Sequence, residues 1–561
     1  MKTIEKLKKD RLMFSLLILV IVLGLFLRFN DFTQTRYWND DLSTVPAGIL
    51  WYHPHSYYPG LSGNSEPQLG NIFIGLGCIS SGEDFSGVSQ IQPGFYPGRP
   101  SLLAEPLIKS ELNCHIPMYI FGLLFFIAVI LLSLTLFNKY SSLYVISFFA
   151  FFPFILRYSR WIHVDTLMFF FVALGHFFLY KAFIEEKYSK KERLFFILTF
   201  SSFALATATK LTGIPFFIFG AFILALKYKE DLLSLIKGSN ITKEDYKKFL
   251  PIIIPSAIIS VFLILLPFKL NPKNIFDMFE NIRTVHNPYN SGLSLHFDFY
   301  KQIFDFFLTL NIIDMVLALF SIFIVYKLIT KKKNLQEKFI LSLFIFYIIS
   351  IFLFNSLEIF RIAFPYTIAL PILMGLAFSN KEYSLLNIIN KNKRRLIFII
   401  IILIYISYSF SIALSWSPYF LEENPIACTL SDKCFKNDRR LNFFSTELIA
   451  DELNKIMADN ETFFPGSGIL YYYVRPEDDA QMYNFDISFQ RQIGRTPGVT
   501  DYIRYYRPNG RTPRYLLLDP YTNDVFGEEE RLIKESITPK VIVKNRGKEI
   551  LYIYDLFELS N

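Results

Sequence analysis

Cysteine and histidine are scarce in this sequence, and charged residues are scarce inside its long apolar runs. The 561 residues include four cysteines and seven histidines. Hydrophobic residues make up 52% of the chain and aromatic residues 18%, which is more than an ordinary soluble domain contains. Apolar runs that approach the ~20 residues needed to cross a bilayer exclude a soluble globular protein and predict a polytopic α-helical membrane protein.

Eleven apolar runs are predicted to cross the membrane. They are residues 12–28, 116–137, 141–156, 166–183, 193–209, 211–227, 249–268, 308–326, 339–355, 362–379 and 396–415. Connectors rich in Lys and Arg all fall on one side of these spans, which the positive-inside rule assigns to the cytoplasm. The N-terminus is then cytoplasmic and the C-terminus extracytoplasmic. The net charge of +8 is attributed to these cytoplasmic connectors of a cell-membrane protein. It is not interpreted as a surface that binds nucleic acid.

The sequence predicts two domains. Residues 1–415 form the transmembrane domain, with a first extracytoplasmic loop over residues 29–115, and residues 416–561 form a soluble extracytoplasmic α/β domain. In that domain, Ser445 to Ala458 carries apolar residues at helical spacing, and three strand-like segments follow, the last a hairpin that turns at Asn545-Arg546-Gly547. It has no metal motif, phosphate loop or nucleophile elbow, so we expect it to support the site or to recognise the acceptor.

All four cysteines fall on the extracytoplasmic side of the predicted membrane. Cys78 and Cys114 lie in the first loop, and Cys428 and Cys434 lie at the start of the tail. An oxidising compartment favours two disulfides, one within the loop and one within the tail. A bridge between loop and tail and four free thiols remain as alternatives.

Asp40 and Asp41 stand together just beyond the first span, in a segment rich in Trp and Tyr. A carboxylate in a setting of low dielectric constant has a raised pKa and can accept a proton from an acceptor hydroxyl. The alternative interpretation is a solvated helix cap in an interfacial loop.

Cations collect at the same predicted membrane surface. The connector after the third span carries Arg157, Arg160, His163 and Asp165; later tight turns contain Lys210 and Arg361. Charges this close to hydrocarbon are costly and are usually functional or paired. Snorkelling of the cations and N-capping by Asp165 are the structural alternatives. Several cations beside one or two carboxylates suit a lipid whose phosphate sits at headgroup level.

Five segments carry a resemblance to a known family: YWNDDLSTVPAGI, SEPQLGNIFIG, SRWIHVDTLMFF, ATATKLTGIPFFI and FRIAFPYTIALPIL. Their order and spacing resemble the glycosyltransferase 39 family and related lipid-phosphate-sugar transferases, which include protein O-mannosyltransferases and lipid A aminoarabinose transferases and share the GT-C fold. The resemblance covers roughly Arg11 to Phe378. It implies a GT-C-like transmembrane domain.

The resemblance also assigns roles to individual residues. It implies Asp40 as the catalytic carboxylate, with Asp41 in place of the usual Glu. The family's His-Pro-Pro-Leu stretch falls on Glu66 to Leu69, and this sequence departs from it at the His and the second Pro, so the resemblance implies no particular acceptor specificity.

Further correspondences concern the later turns. Ser159, Arg160 and Asp165 match one family stretch; Lys210, Thr212 and Gly213 match another; Arg361 precedes a helix with Pro365 and Pro371.

The implied reaction is the transfer of a monosaccharide, with inversion, from a polyprenyl-phosphate donor to a protein or glycolipid acceptor. Asp40 would deprotonate the acceptor while Arg157, Arg160, Lys210 and Arg361 bind the donor phosphate, and Glu66, His163 and Asp165 support the site or the acceptor. No cofactor is required, although Asp40, Asp165 and His163 could hold a divalent cation.

Three alternatives remain open from the sequence. A lipid-diphosphate-linked oligosaccharide transferase or glycolipid polymerase would share the fold. A non-catalytic assembly factor would tolerate the loss of Asp40. A transporter or flippase predicts ionisable residues near mid-membrane, broken helices and internal repeats, and the sequence shows none of these. His176, inside the fourth span, is expected to hydrogen-bond a neighbouring helix.

Overall fold

A computed structural model gives the structure of this chain. It describes residues 10–30, 45, 48–52, 69–85, 101–159, 164–231, 243–271, 273, 310–330, 334–353, 368–379, 384–385, 393–416, 446–457, 462–464, 513–518, 528–545 and 548–555. The chain divides into two compact units. The first comprises Met1–Gln34, Asn64–Phe73 and Ile116–Ile426, and the second comprises Thr35–Gly63, Ile74–His115 and Ala427–Asn561. The second unit therefore includes parts of the predicted first loop as well as the tail.

Helices make up most of the described chain up to residue 416. They are α1 (Arg11–Phe29), α2 (Leu69–Ile79), α3 (Ser101–Leu136), α4 (Lys139–Phe151), α5 (Pro153–Tyr158), α6 (Val164–Ile184), α7 (Lys190–Thr209), α8 (Ile214–Lys227), α9 (Lys243–Leu265), α10 (Ile312–Thr330), α11 (Leu335–Leu353), α12 (Ala369–Gly375) and α13 (Arg394–Trp416). Short 3₁₀ turns precede α8 and follow α9 and α12. Each of the eleven predicted spans overlaps at least one of these helices.

Six segments of the described chain are long and apolar enough to cross a membrane. They are Arg11–Phe29, Lys109–Leu136, Val164–Ile184, Leu250–Phe268, Ile312–Thr330 and Arg394–Leu414. Their lengths match the thickness of a bilayer core at 1.5 Å per residue. The prediction of a polytopic α-helical membrane protein is confirmed.

The helices differ from the predicted spans in two places. Helix α3 begins at Ser101, well before residue 116, and the apolar helix α2 also lies inside the stretch predicted as a loop. The third predicted span, residues 141–156, is divided between α4 and α5 at Phe152. Pro153 has no backbone N–H and cannot donate the bond that would continue α4.

Local sequence explains where several helices begin. The Asn138 side chain caps α4 by accepting from the backbone N–H groups of Tyr140 and Ser141. Ser189 caps α7 by accepting from the Glu192 N–H at 3.1 Å, while the Glu192 carboxylate accepts from the Tyr188 N–H. This reciprocal arrangement is close to a capping box, and it satisfies donors that a helix N-terminus leaves unpaired.

A disulfide joins helices α2 and α3. It links Cys78 to Cys114, two fully buried residues. This is the pairing that the sequence analysis favours within the first loop. Cys428 and Cys434 lie outside the described residues.

The C-terminal part of the chain contains a four-stranded sheet. Its elements are α14 (Thr446–Ile456), β1 (Thr462–Phe464), β2 (Pro513–Leu518), α15 (Glu528–Ser536), β3 (Val541–Asn545) and β4 (Lys548–Asp555). The strand order is β1-β2-β4-β3, with β1 parallel to β2 and the other pairs antiparallel. The predicted helix over 445–458 and the hairpin that turns at 545–547 are confirmed.

The core of this α/β fold lies between α14 and the sheet. Leu453 of α14 packs with Tyr515 and Leu517 of β2 and with Leu551 and Ile553 of β4, all of them buried. The strand side chains that face α14 recur at every second position, as a sheet covered on that face requires. The predicted strand over residues 468–474 lies outside the described residues.

Candidate active site at the start of helix α6

Two of the predicted site residues, Asp165 and Lys210, form an ion pair. The Lys210 Nζ lies 3.0 Å from the Asp165 Oδ1. Asp165 occupies the first turn of α6, and Lys210 follows the last residue of α7. Because α6 and α7 are consecutive and antiparallel, the start of one and the end of the other meet at the same end of the bundle.

Both members of this pair are buried. Asp165 is 0% exposed and Lys210 is 7% exposed, so Lys210 pairs with a carboxylate and does not snorkel to solvent. The negative charge at a helix N-terminus and the positive charge at a helix C-terminus are each favoured by the helix dipole. Each charge helps to offset the cost of burying the other.

The turn that carries Lys210 is fixed by its backbone. The Lys210 N–H donates to the Ala206 carbonyl at 2.9 Å, and the Lys210 carbonyl accepts from the Gly213 N–H at 2.9 Å. A Cβ on Gly213 would lie 2.5 Å from the Thr207 backbone nitrogen, so only glycine allows this close approach. The Thr212 hydroxyl contacts the Met168 sulfur of α6 at 3.3 Å, which ties the turn to the neighbouring helix.

The other predicted site residues are described partly or not at all. Arg157 lies on the short helix α5, and Ser159 follows that helix and donates its hydroxyl to the Leu156 carbonyl at 2.7 Å. The remaining predicted residues lie outside the described residues: Asp40, Asp41, Glu66, Arg160, His163 and Arg361. The structure thus brings together one cation and one carboxylate of the predicted set.

Sequence reasoning treated Arg28 only as the end of the first span, but its side chain is 2% exposed. Its guanidinium donates to the carbonyls of Phe149 and Gly24 at 2.9 Å each, and it lies 4.2 Å from the centre of the Phe126 ring. In an unbroken helix the Phe149 carbonyl would accept from the N–H of residue 153, which is proline. Arg28 therefore supplies the donor that Pro153 lacks. An Arg at the end of an apolar run and a Pro inside another were the available signals.

A second buried polar cluster was also missed. Asp314 of α10 is 1% exposed and accepts from the Tyr144 hydroxyl at 2.6 Å and from the Tyr405 hydroxyl at 3.1 Å. The side chain of Asn311 accepts from the Asp314 N–H and donates to the Ser409 hydroxyl. Asp314 lies in the first turn of α10. These contacts join helices α4, α10 and α13.

His176 makes the interhelical bond that the sequence predicts. Its Nδ1 lies 2.6 Å from the Val172 carbonyl, and its Nε2 lies 3.0 Å from the Tyr347 hydroxyl of α11. The carbonyl can only accept, so Nδ1 carries the proton and Nε2 accepts from Tyr347. The imidazole is enclosed by the rings of Phe203, Phe216 and Phe219.

Residues 116–276 match the family model described as dolichyl-phosphate-mannose-protein mannosyltransferase. The matched segment covers less than a third of the chain, and it includes α5, the Asp165–Lys210 ion pair and the turn after α7. This match confirms the resemblance to the glycosyltransferase 39 family, whose members are polyprenyl-phosphate-dependent membrane glycosyltransferases. Among curated proteins, none matches the chain.

Two solved structures are similar to the chain along most of its length. One is ArnT from Cupriavidus metallidurans bound to undecaprenyl phosphate, with 11% identity, a TM-score of 0.49 and coverage of 96% of this chain and 97% of that one. The other is the archaeal oligosaccharyltransferase AglB from Archaeoglobus fulgidus in complex with an inhibitory peptide and a dolichol-phosphate. It has 13% identity, a TM-score of 0.44 and coverage of 91% and 70%.

Proposed function

We propose that this protein is an inverting glycosyltransferase that moves a monosaccharide from a polyprenyl-phosphate donor to a hydroxyl of a protein or glycolipid acceptor. The observation that carries the proposal is the family match over residues 116–276, which includes the buried Asp165–Lys210 ion pair. The pair puts a cation at one end of a membrane-spanning bundle. A lipid phosphate sits at that depth.

Lys210 is the cation for which the structure supplies the most detail. Its ammonium group has three N–H donors. The ammonium nitrogen lies 3.0 Å from the Asp165 carboxylate. Asp165 thereby positions Nζ, and we propose that the Lys210 ammonium also contacts the donor phosphate. Because the pair is buried, its interaction with the departing phosphate is screened less than it would be in water.

The arginines complete the phosphate site in this proposal. Arg157 on α5, Arg160 just after it and Arg361 would add charge around the donor phosphate, with the guanidinium groups suited to bidentate contact. Several cations are chemically useful because the C–O bond to the sugar breaks with its electron pair on the phosphate oxygen. The leaving group then carries one more negative charge than it did in the donor.

Asp40 is the proposed general base. The acceptor hydroxyl gives its proton to the Asp40 carboxylate, and its oxygen attacks the anomeric carbon on the face opposite the phosphate, so the configuration inverts. Asp41, Glu66 and His163 are proposed to orient the acceptor. We place this chemistry at the extracytoplasmic surface, with the N-terminus in the cytoplasm, because of the distribution of Lys and Arg among the connectors.

A divalent metal on Asp165 is not part of this proposal. The Lys210 ammonium lies 3.0 Å from one carboxylate oxygen of Asp165, and a metal ion at that carboxylate would meet a positive charge. Lys and Arg can neutralise a lipid monophosphate directly. We therefore propose that Asp165 holds Lys210 in place, and we assign no step of the reaction to a metal.

The test is transfer of a radiolabelled sugar from a panel of polyprenyl-phosphate monosaccharides, in membranes that contain the full-length protein. We expect transfer by the wild type and by Asp451→Asn, a matched change at an exposed position of α14, and none by Asp40→Asn. Transfer should survive a chelator.

Three results would contradict the proposal. Equal transfer by Asp40→Asn would remove Asp40 from catalysis. Loss of transfer with chelator would require a metal. Transfer only from diphosphate-linked donors would favour an oligosaccharide transferase or a glycolipid polymerase.

A further inference from the structure

A cleft opens at the end of the bundle where α6 ends and α7 begins. Its volume is about 770 Å³, and its walls come from the last turn of α6, the end of α8 and the first turns of α11. Helix α7 has 20 residues, so its two ends lie about 30 Å apart, the thickness of a bilayer core. The cleft and the Asp165–Lys210 pair therefore lie at opposite membrane surfaces.

Charged side chains of both signs line this opening, which we call the lysine cleft. They are Lys187, Lys227, Lys229, Lys338, Glu185 and Glu230. Phe183, Leu226 and Leu341 contribute an apolar wall. A cavity of this size with an apolar wall and a few polar groups has the character of a site for an amphiphilic molecule.

Two of the four lysines have structural roles. Lys227 lies 2.6 Å from the buried Glu192 carboxylate and also donates to the Glu185 carbonyl at 2.7 Å, which satisfies a carbonyl at the end of α6. Lys187 forms an ion pair with Asp231 at 2.8 Å. The charge of each is therefore already balanced by a carboxylate.

The other two lysines are available to a ligand. Lys229 and Lys338 are exposed, and neither forms an ion pair within the described parts of the chain. Glu230 is exposed and Glu185 is half-buried, and the charge of Glu185 also interacts with Lys227. The lysine cleft thus offers two cations and two carboxylates beside an apolar wall.

We propose that the lysine cleft binds the headgroup of a phosphoethanolamine phospholipid. Lys229 and Lys338 would bind the phosphate, and Glu185 and Glu230 would accept from the primary ammonium. An acyl chain would lie along Phe183, Leu226 and Leu341. A purely anionic headgroup would be repelled by the two carboxylates, and a choline headgroup has no N–H to donate. This site is independent of the proposed glycosyl transfer.

The test measures lipid binding to the purified full-length protein by native mass spectrometry. The titrants are phosphatidylethanolamine, phosphatidylglycerol and phosphatidylcholine with identical acyl chains. We expect the wild type to bind phosphatidylethanolamine at least about fivefold more tightly than either other lipid, the size of effect that one surface charge produces.

Two double variants separate the cleft lysines from general surface charge. Lys229→Gln/Lys338→Gln should weaken phosphatidylethanolamine binding on the order of 30-fold, since each lysine near a lipid surface contributes about a factor of five. Lys190→Gln/Lys191→Gln makes the same change in charge at exposed positions in the first turn of α7, outside the cleft. It should bind lipid as the wild type does.

A change to a cleft carboxylate distinguishes phosphatidylethanolamine from phosphatidylglycerol more directly than a change to the lysines does. Glu230→Gln should weaken phosphatidylethanolamine binding and strengthen phosphatidylglycerol binding, because it removes both an acceptor for the ammonium and a repulsive charge. Equal effects of the two lysine variants would overturn the site. A wild-type preference for phosphatidylglycerol would show an anionic lipid site instead. Displacement of the lipid by soluble phosphoethanolamine or inorganic phosphate would assign the cleft to a soluble phosphate compound.

Discussion

At the scale of single residues, the Asp165–Lys210 pair combines stability and proposed chemistry in the same two side chains. Both are buried and 3.0 Å apart, so a change in either one affects folding as well as any charge offered to a donor. Loss of activity in a single variant would not separate these roles. A double variant does, because it removes both charges together.

We expect Asp165→Asn and Lys210→Met each to destabilise the protein by about 3–5 kcal/mol, since each removes the ion pair that a buried charge makes. The double variant Asp165→Asn/Lys210→Met should recover much of that loss and still fail to transfer sugar. Thermal unfolding and sugar transfer measured on the same preparations provide the comparison. A double variant that transfers sugar as the wild type does would reduce the pair to a structural role.

Single residues also show that sequence motifs do not predict which side chains pair in the fold. Asp165 and Lys210 were each identified from their positions beside apolar runs, but their pairing depends on the antiparallel arrangement of α6 and α7. Asp314 was not identified because a hydropathy window averages one carboxylate over about 20 apolar residues. Its partner Tyr144 is 170 positions away, and no local pattern connects the two.

At the scale of the elements, Arg28 and Pro153 act on the same carbonyl. Pro153 ends α4 by removing an N–H, and the Arg28 guanidinium donates to the Phe149 carbonyl in its place. Gly24 allows the approach, because a Cβ there would lie 2.9 Å from the Ala150 Cβ. The break between α4 and α5 is therefore held by a side chain from α1.

The coupling between these two residues can be measured. Arg28→Met should destabilise the protein by roughly 3 kcal/mol, because charged donors to buried carbonyls are lost. In a Pro153→Ala background the same change should cost at least about 1 kcal/mol less, since the alanine has a backbone N–H that can donate to the Phe149 carbonyl. The experiment is a double-mutant cycle on unfolding in detergent. Strictly additive effects would show that Arg28 does not substitute for the missing N–H.

The helices and strands themselves were predicted well because the hydrophobic pattern of the sequence is strong over each of them. Apolar runs of near-membrane length and the period-two pattern of the tail strands come from burial over many residues, so errors at single positions cancel. The extent of α3 was underestimated because its first turns carry polar and charged residues such as Glu105 and Lys109, which lower the hydropathy without preventing a helix. The break at Phe152 requires only one proline, which a hydropathy average does not resolve.

At the scale of the whole molecule, Asp10 connects the start of the first helix to two distant ones. Its carboxylate pairs with Lys139 at the start of α4 and with Arg395 at the start of α13, at 2.6 and 2.7 Å. Burial would raise the pKa of Asp10, but the hydrogen bond and charge of Lys139, with a smaller effect of Arg395, lower it below the ordinary value of 3.8.

This shift predicts how stability depends on pH. Because the folded state lowers the Asp10 pKa, the contribution of Asp10 to stability is fully present above its ordinary pKa and is lost as the pH falls through the lowered one. Asp10→Asn should therefore unfold at a lower temperature than the wild type at neutral pH, and the difference should shrink as the pH falls below the ordinary pKa of 3.8. Asp451→Asn, at an exposed position, is the control. A difference that stays constant with pH would contradict this account.

The contacts of Asp314 also bear on how the protein is assembled. During synthesis α4 is made before α10, so the Tyr144 hydroxyl is already present when Asp314 enters the membrane. The Tyr405 and Ser409 hydroxyls belong to α13, which leaves the ribosome about a hundred residues later. Until then the carboxylate lacks part of its hydrogen bonding, and a chain released before α13 would expose that unsatisfied group to lipid or to quality-control proteases.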